Sequence, residues 1–167
     1  MQHSRMTENL KTTRLNDGQS ILYEPDNLDW AKLRTPGYCW PNNDPSNKDD
    51  YGVLYNWYAV DTGKLAPVGW YVPTDDEWKI LADHLGGESV AGGKLKEIGF
   101  TVRWAGLRIY DGVFGYFNEM EKYWTATEGD WHPGDVWYRT ITKLDSELGR
   151  SSHQKMDGHS VRCVKDN

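Results

Sequence analysis

The chain has 167 residues, 38% of them hydrophobic and 26% charged, with a formal net charge of -6 and a pI near 5.3. That length fits one domain, 1–167, able to bury a sizeable core. The acidic balance, with no Lys/Arg cluster, excludes a general nucleic-acid backbone binder, and no apolar run of about 18 residues is present for membrane insertion.

Residues Met1 to Asn9 lack the apolar stretch of a signal peptide, so the chain is expected to be cytoplasmic or otherwise unexported by the general route, unless a signal was removed. Residues 1–20 are polar, with Met6 and Leu10 opening an apolar face, and should form a short strand or helix. Four prolines (Pro25, Pro36, Pro41, Pro45) among Asn, Asp and Ser make 24–50 a long loop with Tyr38, Cys39 and Trp40 pinned inside it. A loop of that length calls for structure or function of its own. The run 51–60 is apolar on both alternating faces and reads as a buried strand or short helix.

A short strand at Trp70 to Val72 precedes the clearest helix. Thr74 and Glu77 form a capping box, Asp75 and Asp76 place negative charge at the helix start, and Trp78, Leu81, Ala82 and Leu85 give one buried stripe that ends at Gly86 and Gly87. A second helix spans Ser89 to Glu97 despite Gly92 and Gly93, each of which weakens it by about 1 kcal/mol unless close packing requires them. From Phe100 onward the pattern is β: Gly106 to Ile109, a turn at Asp111 and Gly112, Val113 to Tyr116, Tyr123 to Glu128, Val136 to Arg139 and Ser160 to Lys165. Helices first and strands afterwards predict an α+β fold, with two helices packed on one side of a mostly antiparallel twisted sheet.

Two polar runs, 129–135 and 143–159, separate the last three strands and obey no periodicity. Their mixture of adaptable polar groups and single large anchors such as Trp131 suits a contact surface held by a rigid frame. Metal and cofactor chemistry finds little support. His132, His153 and His159 match no zinc spacing, the acidic loop 42–50 lacks EF-hand spacing, and no P-loop, nucleophile elbow or dinucleotide fingerprint is present. Cys39 and Cys163 could close a long loop worth roughly 4–5 kcal/mol, but two free buried thiols are the preferred expectation.

Six ordered fragments are similar to one family: Met6 to Thr13, Tyr51 to Ala59, Gly69 to Trp78, Ala91 to Lys96, Tyr123 to Glu128 and Ser160 to Asp166. They resemble the Fibrobacter succinogenes major paralogous domain, a branch of the C-type lectin-like fold. The resemblance implies a Cys just before Pro67-Val-Gly-Trp70, where this chain has Ala66, and a longer insert where Gly99 and Phe100 pass almost directly to the next strand. It also brings in the variable proteins of diversity-generating retroelements of phages, archaeal viruses and cells, which rewrite surface codons near the C-terminus on a fixed scaffold. On that likeness Trp124, Trp137, Tyr138, Arg139, Val161 and Arg162 would be scaffold, within and around a variable region of about 129–159. Ligand contacts would be Trp131, His132, Asp135, Asp145, Glu147, His153, Gln154, Met156 and His159.

The implied function is non-enzymatic binding of a protein or glycan at a cell surface, without cofactor or metal, in a cytoplasmic or virion-associated protein. The alternatives are an oxidase like the formylglycine-generating enzymes, for which paired active-site cysteines are missing, and a secreted or lipid-anchored adhesion domain.

Overall fold

The computed structural model describes residues 4–165. In chain order they form β1 (Leu22–Tyr23), α1 (Asn27–Lys32), β2 (Gly37–Cys39), α2 (Lys48–Tyr51), β3 (Leu54–Tyr55), α3 (Trp57–Asp61), β4 (Trp70–Tyr71), α4 (Asp75–His84) and α5 (Glu88–Glu97). Then follow β5 (Leu107–Arg108), β6 (Phe114–Gly115), β7 (Met120–Glu128), β8 (Asp135–Thr142), β9 (Gly149–Gln154) and β10 (Val164–Lys165). The architecture is mixed α and β, but the strands divide among several small sheets instead of one. The sheet β7-β8-β9 is antiparallel, β1-β2-β3 is mixed, and β4/β10 and β5/β6 are antiparallel pairs.

Helix α4 starts as its sequence dictates. The Thr74 hydroxyl accepts from the Glu77 amide at 3.2 Å, and the Glu77 carboxylate accepts from the Thr74 amide at 2.8 Å. Its buried stripe, Trp78, Leu81 and Ala82, meets Ala91 and Leu95 of α5 and Tyr123 and Ile141 of the main sheet in one cluster. Period-two alternation sends Trp124, Val136 and Tyr138 to the opposite face, where they join Val53, Tyr55, Trp57 and Val161. Cover on both faces explains why Val136 to Arg139 are all buried. The expectation of helices on one side missed this second layer, which is built from loops and short helices of the first half.

The loop expected over 24–50 contains α1, β2, two 3₁₀ turns (Pro41–Asn43 and Pro45–Asn47) and most of α2. Asp26 caps α1 by accepting from the amides of Leu28 and Asp29. The run 51–60 is strand and helix in succession, β3 then α3, with the Asn56 side chain capping the turn between them. The segment 4–20 forms bridges only, Arg5 with Val164 and Arg14 with Ser20, in place of the expected strand or helix; residues 1–3 lie outside the described ones.

The glycines of α5 have a packing reason. A Cβ on Gly92 would collide with the backbone carbonyl of Glu147, and the Gly93 amide donates to the Ser146 carbonyl at 2.9 Å. The β8–β9 connection therefore lies directly on the helix backbone. Gly92→Ala, which would favour an isolated helix by about 1 kcal/mol, is expected instead to lower stability by about 1–3 kcal/mol through overpacking. Urea denaturation of the variant measures the sign.

Residues 158–164 run through the middle of the molecule. Ser160 exchanges bonds with Lys122 and Trp124 of β7, His159 with Tyr55 of β3, and the Val161 and Cys163 carbonyls accept from Leu10 and Met6. Of the strand expected over 160–165, only Val164–Lys165 joins a named sheet, paired with β4. Cys39 and Cys163 are free and buried in separate clusters, and burial pushes each thiol up to about 12.

Candidate functional site

The sequence between β7 and β8 folds back on itself. The Gly129 amide donates to the Asp135 carbonyl at 2.6 Å, the Asp135 amide donates to the His132 carbonyl at 3.1 Å, and Gly134 takes a φ of 88° that completes the turn. Across the ladder Asp135 pairs with Gln154, so the start of β8 and the end of β9 reach the same end of the sheet. The second polar run, which obeys no periodicity, thus contains a strand, β9. Gly149-Arg-Ser-Ser-His-Gln154 has no apolar residue to announce it, because β9 is the edge of its sheet and the β8 ladder holds it by backbone bonds.

An open groove of about 600 Å³ lies at this end. His132, Pro133, Gly134 and Asp135 from the start of β8 and the turn before it line the groove with His153, Gln154, Lys155 and Met156 from the end of β9 and beyond, together with Arg34 and Tyr58. The fold therefore gathers five of the expected contacts: His132, Asp135, His153, Gln154 and Met156. Trp131 stands next to them in sequence, 59% exposed, its ring edge-on to Trp137 with centroids 4.7 Å apart.

Three expected contacts fall elsewhere. Asp145 and Glu147 are exposed in the β8–β9 connection, at the far end of the hairpin; the seven steps of β8 put them roughly 23 Å from Asp135. There the Asp145 carboxylate builds the turn, accepting from the Thr142 hydroxyl at 2.9 Å and the Glu147 amide at 3.1 Å. His159 needs correction: it is fully buried and cannot meet a ligand. It sits on the central run between β3 and β7, its ring 4.1 Å from Trp124 and 5.1 Å from Tyr138. Burial holds its imidazole well below the usual range, hence neutral, with neither ring nitrogen hydrogen-bonded among the described residues.

His153 is the titratable centre of the groove. Its Nδ1 lies 2.5 Å from the Asp157 carboxylate, which is itself buried, and that bond raises the imidazole above its ordinary value. Burial also pushes the Asp157 carboxyl up, with the His153 bond opposing. Nearby, the Lys155 ammonium stands 4.8 Å from the Trp57 ring centre and 3.2 Å from Glu128, and His132 lies 3.6 Å from Asp135. Arg34 donates from Nη1 only to the carbonyls of Ala31 and Leu33, and has no carboxylate partner among the described residues.

Sequence reasoning missed Arg34, Tyr58 and Lys155. Lys155 lies inside the second polar run and was accessible to the same argument as its neighbours. Arg34 comes from the loop after α1 and Tyr58 from a run that is otherwise buried, so only the tertiary arrangement brings them here.

A buried charge cluster supports the frame. Arg139, wholly buried, donates from Nε to Asp75 at 2.8 Å and from Nη1 to Glu88 at 2.6 Å. Arg150 bonds the other Asp75 oxygen at 2.6 Å while its guanidinium covers the Trp137 ring at 3.4 Å. Asp75, expected as a helix-start charge, is thus also the link between α4 and β8–β9. The expected scaffold residues Trp124, Trp137, Tyr138, Arg139, Val161 and Arg162 are all buried.

The sequence model of the Fibrobacter succinogenes major domain matches residues 3–165. The chain belongs to that family. No curated protein matches it. Within this Fibrobacter succinogenes major domain, no group of three or more His, Cys, Asp or Glu among the described residues could hold a metal ion, and no described helix is long and apolar enough to cross a membrane.

Proposed function

We propose that the chain is a non-enzymatic ligand-binding domain of C-type lectin-like fold, whose binding surface is the groove at the joined ends of β8 and β9 together with Trp131. One observation carries this reading. Side chains far apart in sequence converge on one open groove, and the strands that carry them are anchored by buried side chains pointing into two cores. Exchange of the groove residues therefore leaves the frame intact, as a binding protein with a replaceable surface requires.

In this reading the domain acts as a variable protein of a diversity-generating retroelement, with positions 131–135 and 153–156 as the exchangeable part of its surface and a protein or glycan at a cell surface as target. The buried His159 and the turn-building Asp145 belong to the frame. The test is a displayed library randomised at Trp131, His132, Asp135, His153, Gln154 and Met156. Most members are expected to melt within a few degrees of the parent, and selections against unrelated proteins should yield binders. General loss of folding across the library would overturn the reading. Diversification itself is checked in the flanking DNA, where a reverse-transcriptase gene and a near-copy of the segment encoding 129–159, differing at adenines, are expected.

A further inference from the structure

We propose that the groove takes an acidic peptide segment of a partner protein, its carboxylates held by Arg34, His153 and Lys155, and that binding tightens as the solution turns mildly acidic. This rests on the groove being the ligand site. The groove differs from the whole chain, whose net charge is -6: its lining holds Arg34, Lys155, His132 and His153 with one acid, Asp135. Two acids outside the lining reach it, Glu128 at 3.2 Å from Lys155 and the buried Asp157 at 2.5 Å from His153, which leaves Arg34 as the lining cation without a carboxylate partner among the described residues. Asp135 is engaged locally, 3.6 Å from His132 and 3.4 Å from the Ser152 hydroxyl. Arg34 is the strongest recognition group. It is exposed, its Nε and Nη2 make no bond among the described residues, and a guanidinium with free donors is shaped for bidentate capture of a carboxylate.

A peptide fits better than an acidic sugar because Tyr58 is the one Phe, Tyr or Trp among the lining residues, with Trp131 beside them, so few ring faces are offered for sugars to stack on. Recognition is left to charge, the Gln154 amide and the flexible Met156, a combination that adapts to peptide side chains.

The pH dependence comes from His153. It faces Asp157 four residues on, His159 from the central run, Tyr110 from the β5–β6 turn, whose ring centre is 5.9 Å away, Lys122 from β7 and Asp135 from β8. Asp157 raises it, while partial burial and Lys122 oppose. The imidazole is therefore charged below that raised value and neutral above it. Glutamates of a ligand, with ordinary values of about 4.3, remain ionised across the same window, so attraction grows as pH falls from about 8 to about 5.5.

The experiment titrates the full chain into fluorescein-labelled hexaglutamate by fluorescence anisotropy at about pH 5.5 and pH 8, values on either side of the ordinary imidazole range. Unlabelled hexaglutamine and oligogalacturonate serve as competitors. Hexaglutamate is expected to bind about tenfold more tightly at the lower pH, the size of one added charge-assisted hydrogen bond. Arg34→Gln should weaken binding by about tenfold, His153→Gln should flatten the pH profile, and Lys79→Gln, which removes the same charge from α4, should change nothing. Circular dichroism confirms that each variant is folded. Absent binding, equal competition by hexaglutamine, tighter competition by oligogalacturonate, or a pH-independent affinity overturns the proposal. Should hexaglutamate fail while the randomised library still yields groove binders, the acidic-peptide inference falls and the groove reading stands; failure of both removes the groove.

Discussion

Arg139→Ala is expected to lower the unfolding free energy by about 3–5 kcal/mol. Truncation removes a fully buried partner of Asp75 and leaves a carboxylate that is 5% exposed with Arg150 as its remaining cation among the described residues. Glu88 loses its partner too, but it is half exposed and water compensates it. The size of the effect reflects the uncompensated charge rather than the strength of the pair. Arg139→Met combined with Asp75→Asn should therefore recover part of the loss, because the second change removes the stranded charge. Urea unfolding of the single and double variants decides the matter; a double variant weaker than Arg139→Ala would show that the cluster supplies net attraction.

Trp137→Ala should cost a similar amount, about 3–5 kcal/mol. The ring is 3% exposed and lies between the Trp131 edge and the Arg150 guanidinium. Its removal opens a cavity and uncovers Arg150 at once. Trp131→Ala deletes only an exposed ring whose single aromatic contact is worth roughly 0.5–1.5 kcal/mol. Thermal melts that rank the two residues equally would sink the division between frame and surface on which the proposed function depends.

The parts of the fold legible in the sequence are those where local chemistry and tertiary packing agree. Thr74 with Glu77 announces α4 because a capping box forms within four residues, and Trp124 and Val136 to Arg139 announce β7 and β8 because their neighbours are strand formers. Three features were hidden for different reasons. β9 is polar because an edge strand on a two-layered sheet contributes backbone more than side chains. Gly92 reads as helix-breaking because the carbonyl it accommodates is 55 residues away in sequence, at Glu147. His159 reads as a surface residue because its neighbours in the polar run are polar, whereas its partners Tyr55, Trp124 and Tyr138 come from three other strands.

The groove was half legible. Its members on β8 and β9 share one composition signal, but no sequence rule says that positions 132 and 153 meet while 145 and 147 point to the far end; the register of an antiparallel hairpin decides that. Arg34 carries no signal at all. It became visible only when the chain after α1 was placed beside Tyr58 and the end of β9.

The central path of 158–164 bears on how the domain is made. Leu10, Tyr55 and Trp124 all bond to residues that are synthesised after them, Val161, His159 and Ser160. A nascent chain halted before Ser160 lacks the piece that joins its two halves, so the domain closes only after that stretch has been made. Any reading-frame error within 129–159 deletes that piece, whatever side chains the altered codons specify. Because 158–164 follows the groove-bearing strands in the chain and joins the two halves, loss of reading frame within 129–159 removes the closing piece of the domain along with the groove.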